Sequence, residues 1–235
     1  YKQTYLKTIH NQLSALFNYA VRFYGLKNNP ARLAGNMGIE EVGEMKFWTK
    51  EEYLTFSRAM MNKEERYHAF EILYWCGIRL GELLALTAED FDFEKKTLRI
   101  NKSYQRVKGK DVITTPKTRK SNRVLTLPDF LAEEMQDYIS RLPYLKVDDR
   151  IFTITKSGLH HEMDQGCRET GVKRIRVHDL RHSHVSMLIE MGFSAVDIAN
   201  RVGHESVKVT YRYAHMFPNK YLICLLYTSP SPRDK

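Results

Sequence analysis

Cysteine is scarce in this chain. Of 235 residues only Cys76, Cys167 and Cys224 carry thiols, an odd number at spacings that fit neither a disulfide framework nor a zinc site. A reducing compartment is the expectation. Long apolar runs are missing too: the longest, "YLICLLY" at 221–227, is far too short to span a bilayer. The opening "YKQTYLKTIH" lacks the apolar core of a signal peptide, so a cytoplasmic protein with no membrane partner is expected. Several enzyme signatures are also absent. There is no glycine-rich phosphate loop, no G-x-S-x-G elbow and no H-E-x-x-H, because Gln165 stands where "HEMDQ" would need histidine. His178 and His182 lie four apart and could share a metal, but a catalytic zinc site needs three protein ligands and no third is signalled nearby. No metal and no cofactor are expected.

What the chain does have is positive charge, 37 Lys+Arg against 28 Asp+Glu for a net +9. That balance suits a polyanionic partner such as nucleic acid or an acidic membrane, or merely a soluble basic surface. The length allows one full domain and part of another. Leu6, Ile9, Leu13, Leu16, Phe17, Ala20, Val21 and Tyr24 recur at helical spacing up to "LKNNP", where Pro30 disfavours helix at Asn29. This helix needs a partner for its apolar face, so residues 1–35 read as the end of a helical domain. The aperiodic, glycine-bearing segment that follows supplies a linker at 36–46.

A second domain is expected over 47–218. Thr49 and Glu52 form a capping box at the start of a helix, and 67–86 is mostly helical and apolar, broken around Gly77. β-branched alternation over 97–128, with turns at "VKGKD" and "TRKSN", predicts a small antiparallel sheet. Helix predominates again from Asp129 to about His215, with a capping box at Ser194 and Asp197, an apolar face from Ala195, Ile198, Ala199 and Val202, and a stop at Gly203. Residues 219–235 change character without matching structural logic. They resemble a read-through or adapter scar and are set aside as a sequence artefact.

Four groups carry candidate chemistry. Arg79 and Glu82 are the only charges between Ile72 and Thr87, either a buried ion pair or a guanidinium held by Glu82 and aimed at a phosphate. Lys117, Arg119, Lys120 and Arg123 crowd one hairpin turn, either solvated charge or a basic turn that fits a DNA groove. "RVHDLRHSH" places three histidines and two arginines in nine positions. With a helix starting near Asp179, His178 and Arg181 sit at its N-terminus, and Leu180, His184, Met187, Leu188 and Met191 line another face. Cations at that end oppose the helix dipole unless an anion binds there, so the cluster reads as half of a phosphate site or as partly exposed histidines. Last, "VGHESVKVTYRYAH" offers His204, Tyr211 and Tyr213.

Taken together and in order, "GIRLGE", "PKT", "HDLRHSH", "VGHES" and "YRYAH" resemble the tyrosine recombinase, or phage integrase, family, especially integrases of prophages and conjugative transposons. The resemblance spans roughly residues 47–218. It implies a mostly helical α+β catalytic domain with a small antiparallel sheet, preceded by the end of a helical core-binding domain. It makes Arg79 and Arg181 the phosphate-clamping arginines, with Glu82 in support, and Lys117 the hairpin lysine that protonates the leaving oxygen. His178 would assist proton transfer, His204 would hydrogen-bond the phosphate, and Arg119, Lys120 and Arg123 would contact DNA. Tyr213 would be the nucleophile, being nine residues beyond His204 and followed by Ala214 and His215; Tyr211 has neither feature.

The implied function is a site-specific recombinase of a mobile element that breaks and rejoins double-stranded DNA through a 3′-phosphotyrosine link. The implied partners are DNA recombination sites, further copies of the chain in a tetrameric synapse, and DNA-bending accessory proteins at the bacterial nucleoid. A non-catalytic helix-turn-helix protein, with its second helix running through Tyr213, and a type IB topoisomerase are the alternatives.

Overall fold

The computed structural model describes residues 1–39, 45–115, 121–211 and 213. The chain divides into two compact units, Tyr1–Met45 and Lys46–Lys235. Residues 40–44 of the expected linker and all of the set-aside tail lie outside the described residues.

In the first unit α1 (Gln3–Phe23) is followed by a short α2 (Pro30–Leu33), with Asn29 as its N-cap and proline in its first turn. The Asn29 side chain accepts from the Ala31 and Arg32 amides at 2.9 and 3.2 Å and donates to the Ser14 carbonyl and to Asn18 Oδ1, both at 2.9 Å. One side chain thus ends the turn and ties it back to α1. Ile9, Leu13, Leu16, Val21 and Tyr24 of the α1 stripe are exposed.

The second unit begins with α3 (Lys50–Met60), closed at its N-terminus by the reciprocal Thr49–Glu52 capping box. Helix α4 (Glu64–Cys76) is buried over most of its surface, which removes the amphipathic stripe that a surface helix would show. Its one buried carboxylate, Glu71, accepts from Tyr53 Oη (2.7 Å), Ser57 Oγ (2.7 Å) and Trp75 Nε1 (2.8 Å), so its burial leaves no oxygen unpaired. Gly77 ends α4 in the left-handed region, φ +61°. A Cβ there would sit 2.4 Å from the His184 ring, so both conformation and space require glycine.

After α5 (Leu80–Leu83) the strands form two antiparallel sheets where the sequence suggested one. The first orders β1 (Phe91–Asp92), β2 (Thr97–Ile100) and β5 (Arg123–Thr126) side by side, with Leu98, Ile100 and Leu125 turned into the core. The second is the ribbon β3 (Ser103–Val107) and β4 (Lys110–Thr114), mostly exposed. Lys108 and Gly109 turn it with φ of +50° and +80°, the conformation of a two-residue hairpin loop. The ribbon splits off because its strands carry little apolar surface to bury.

The remaining helices are α6 (Asp129–Arg141), α7 (Lys156–Thr170), α8 (Asp179–Glu190), α9 (Ala195–Val202) and α10 (Val207–Thr210). At Ser194 only half of the expected capping box forms in α9: Ser194 Oγ accepts from the Asp197 amide, while its hydroxyl meets the Asp197 carboxylate. Helix α8 crosses the core with Leu180, His184 and Leu188 buried, but Met191, expected on that face, lies beyond the helix end and is 64% exposed. Helices α3 and α7 pack closely because Gly166 presents no side chain; a Cβ there would meet Phe56 Cε2 at 2.5 Å and Met60 Cε at 2.8 Å. Gly166→Ala is therefore expected to lower stability by about 1–3 kcal/mol through overpacking, more than alanine returns in helix propensity. Urea melts at neutral pH check this, and unchanged stability would contradict the packing.

Candidate active site

Arg79 is the N-cap of α5. Glu82, three residues on, accepts from the Arg79 amide and from its Nη1, both at 2.9 Å, while Arg79 Nη2 donates to the Gly203 carbonyl at 3.2 Å. Gly203 closes α9 with φ +71°, which turns that carbonyl out of the helix ladder. Glu82 is buried, whereas the Arg79 side chain is 41% exposed. The pair thus has an inner carboxylate and an outer cation.

Arg123 completes this arrangement. Grouped in the sequence with a basic turn, it is in fact buried on β5, with Nη1 and Nη2 on Glu82 at 3.2 and 3.0 Å and Nε on the Arg201 carbonyl at 2.9 Å. Burial pushes the Glu82 carboxyl up, but hydrogen bonds and charge from Arg123, then from Arg79, outweigh it and hold the group below the usual carboxylate range. Lys117, Arg119 and Lys120 lie outside the described residues.

Arg181 departs from the helix-terminus picture. Its side chain runs back to the C-terminal end of α4, where Nη1 donates to the Gly77 carbonyl at 2.8 Å, a favourable place for a cation. The N-terminus of α8 is served instead by Asp179, whose carboxylate is gripped by the Arg176 amide, Nε and Nη2 at 2.8–3.1 Å. Arg181 is 4% exposed, and its Nη2 is buried with no hydrogen-bond partner among the described residues. Burial, then the charge of Arg79, pushes this guanidinium down to about 9.

Around these cations stand the histidines and tyrosines. His204 is buried, with Nδ1 2.9 Å from Thr210 Oγ1. His178 is exposed, its ring edge-on to His182 at 5.5 Å. Tyr213 is 3% exposed and its hydroxyl is hydrogen-bonded to His182 Nδ1. Tyr211 is 58% exposed at the end of α10. The α-helical part of α10 ends at Thr210, and Tyr211 and Tyr213 beyond it have 3₁₀ conformation. A cleft of about 360 Å³ beside Arg79 and Glu82 is lined also by Lys102, Gln105, Gly203, Thr115 and Ser121; the last two flank residues 116–120.

In the sequence His182 stands four residues from His178 and within the three-histidine cluster "RVHDLRHSH". Its spacing of three from Asp179 was the available sign of a different role. The place of Arg123 was also legible, since it shares strand parity with the buried Leu125.

Residues 46–220 match the Phage integrase family. The chain is 31% identical over 230 residues to the ICEBs1 integrase of Bacillus subtilis (strain 168), covering 92% of this chain and 62% of that protein. It is 27% identical over 248 residues to a tyrosine recombinase XerC-like protein of Caldanaerobacter subterraneus subsp. tengcongensis, covering 92% and 63%. It thus spans less than two thirds of either relative. Its fold is similar to that of the Tn1549 transposon integrase, solved in complex with a circular intermediate DNA, with a TM-score of 0.75 and 19% identity over 94% of this chain and 79% of that one.

Two outcomes follow from the site's electrostatics. Burial, then Arg201, pushes His184 down to about 3; burial, then Arg181 and Arg79, does the same to His204. Unfolded imidazoles titrate near 6.5, so the unfolded chain takes up these protons first. The stability contribution is whole above about pH 6.5 and is lost progressively as pH falls toward 3. Urea melts should give a lower unfolding free energy at pH 5 than at pH 7, by on the order of 1–2 kcal/mol per ring, and equal values would mean that the neutral rings are not buried. Glu82→Gln, which strips the counter-charge from Arg123, should cost about 3–5 kcal/mol. Lys95→Ala, which breaks the exposed Lys95–Asp92 pair, should leave the same melt unchanged.

Proposed function

This chain belongs to the phage integrase family, and from its site we propose that it is a site-specific recombinase of a mobile element, cutting and rejoining double-stranded DNA through a 3′-phosphotyrosine intermediate. The observation that carries the reading is Arg181, a buried guanidinium whose Nη2 lacks a protein partner among the described residues. Such a group is costly when empty and suited to a phosphate oxygen. Arg79, braced by Glu82 with its outer side exposed, is the second clamp.

The chemistry suits those groups. Attack of a tyrosine oxygen on a phosphodiester concentrates negative charge on the non-bridging oxygens, which preorganised cations and donors stabilise. His204 donates to one of those oxygens, and Tyr213, buried beside α8, is the nucleophile in preference to the exposed Tyr211. His178 assists proton transfer. Lys117 protonates the leaving 5′-oxygen; the cleft lining by Thr115 and Ser121 on either side of its segment supports this role. Arg119 and Lys120 contact the DNA backbone, while Arg123, buried on Glu82, acts from behind the site.

The remaining parts of the reading concern the assembly. Residues 1–35 are the end of a core-binding domain joined by 36–46 to the catalytic domain at 47–218. Recombination sites at the nucleoid are the substrate, paired by a tetrameric synapse with DNA-bending accessory proteins. Among the described residues no helix is long and apolar enough to cross a membrane.

The test is covalent trapping on nicked duplexes that carry the element's ends, in chelator. An SDS-stable adduct is expected with the wild-type chain and with Tyr211→Phe, none with Tyr213→Phe, and about 10²–10³-fold less with Arg181→Ala. A wild-type adduct that forms only when chelator is left out, or one that survives in Tyr213→Phe, would overturn the scheme.

A further inference from the structure

We infer that His182 is a catalytic residue whose Nδ1 takes the proton from the Tyr213 hydroxyl, with Asp179 as the positioning residue behind it. The inference rests on the DNA-cleavage reading and deepens it. The Tyr213 hydroxyl is hydrogen-bonded to His182 Nδ1, and the two rings lie 5.6 Å apart. On the far side of the imidazole, Nε2 is 3.8 Å from Asp179 Oδ1. A carboxylate facing Nε2 favours the tautomer that carries its proton there. In that tautomer Nδ1 presents a lone pair and the phenol is the donor.

The rest of the turn holds this line of atoms in place. Asp179 and His182 are three residues apart on α8, hence on one face. The Asp179 carboxylate is fixed by Arg176, and Ser183 Oγ donates to the Asp179 carbonyl at 3.1 Å while accepting from the Trp48 amide at 2.9 Å. The charged and titratable groups facing His182 are Asp179, His178, Arg176 and Arg181, besides Tyr213. Burial, opposed by Asp179 and reinforced by the other three, holds the imidazole below its ordinary value. It is therefore neutral at pH 7 and able to accept.

The step balances without a redox partner. The Tyr213 O–H bond breaks as an N–H bond forms at Nδ1. The phenolate oxygen then forms a bond to phosphorus while the bond from phosphorus to the 5′-oxygen breaks, and that oxygen takes its proton from the separate donor proposed above, Lys117. Rejoining runs the same steps backwards, with the Nδ1 proton returned to the departing tyrosine oxygen. The imidazolium that exists in between faces the Asp179 carboxylate.

The experiment is single-turnover adduct formation on a nicked duplex between pH 6 and 9.5, for the wild type, His182→Ala, His182→Asn and Tyr213→Phe, with circular dichroism and DNA binding measured for each. Asparagine keeps an acceptor oxygen but cannot take up a proton, so it separates proton transfer from holding the ring. Both His182 variants should bind DNA yet react about 10²–10⁴-fold more slowly at pH 7. The deficit should shrink by roughly tenfold or more toward pH 9.5, where a phenol of ordinary pKa about 10 begins to ionise unaided. A wild-type rate in either variant, or a loss of equal size at every pH, overturns the assignment. Failure of both variants to fold overturns it too, by giving His182 a structural role. Absence of any adduct from the wild type overturns the DNA-cleavage reading itself, and this inference with it.

Discussion

One buried carboxylate organises the second unit of the chain. Glu82 holds Arg79 on its outer side and Arg123 on its inner side, and those guanidiniums reach the Gly203 and Arg201 carbonyls at the end of α9. A helix start, a strand and a helix end are thus joined through a single side chain. Buried charge is tolerated only when it is paired and hydrogen-bonded. Here two cations share one anion, so these three side chains together keep a net positive charge.

That surplus sets the state of the neighbouring side chains. An imidazole near several guanidiniums resists a second positive charge, and burial adds to the resistance. His204 therefore stays neutral, with one nitrogen on Thr210. His182 differs from it in having a carboxylate at its back. The same residue type thus has two environments within one site, separated by the position of Asp179.

Much of this architecture was legible in the sequence wherever the physics is local. The Thr49–Glu52 box, the Asn29–Pro30 break, the Gly77 and Gly203 stops and the Lys108–Gly109 turn all depend on neighbours within a few residues, and the pattern names them. Pairing over a distance was less legible. Strand β5 lies against β2, across the intervening ribbon, and no periodicity records which of four similar strands will be neighbours. Arg123 was obscured by its company, a run of basic residues that read as surface, although its parity with Leu125 placed it inside. Arg181 was expected to meet an anion at its own helix terminus, yet a long side chain can reach elsewhere, and it reaches the end of α4. The bond between His182 and Tyr213 joins segments 31 residues apart, which only the fold brings together.

The Arg181 Nη2, without a partner among the described residues, has a consequence for the stability of the molecule. A buried donor without an acceptor among the described residues is a penalty on the native state. Anything that supplies the missing oxygen binds the folded chain and not the unfolded one, so it raises stability by mass action. The folded chain is then least stable while that position is empty, and an anion that fills it acts as a folding ligand. Persistence of the fold and occupancy of that position become linked quantities.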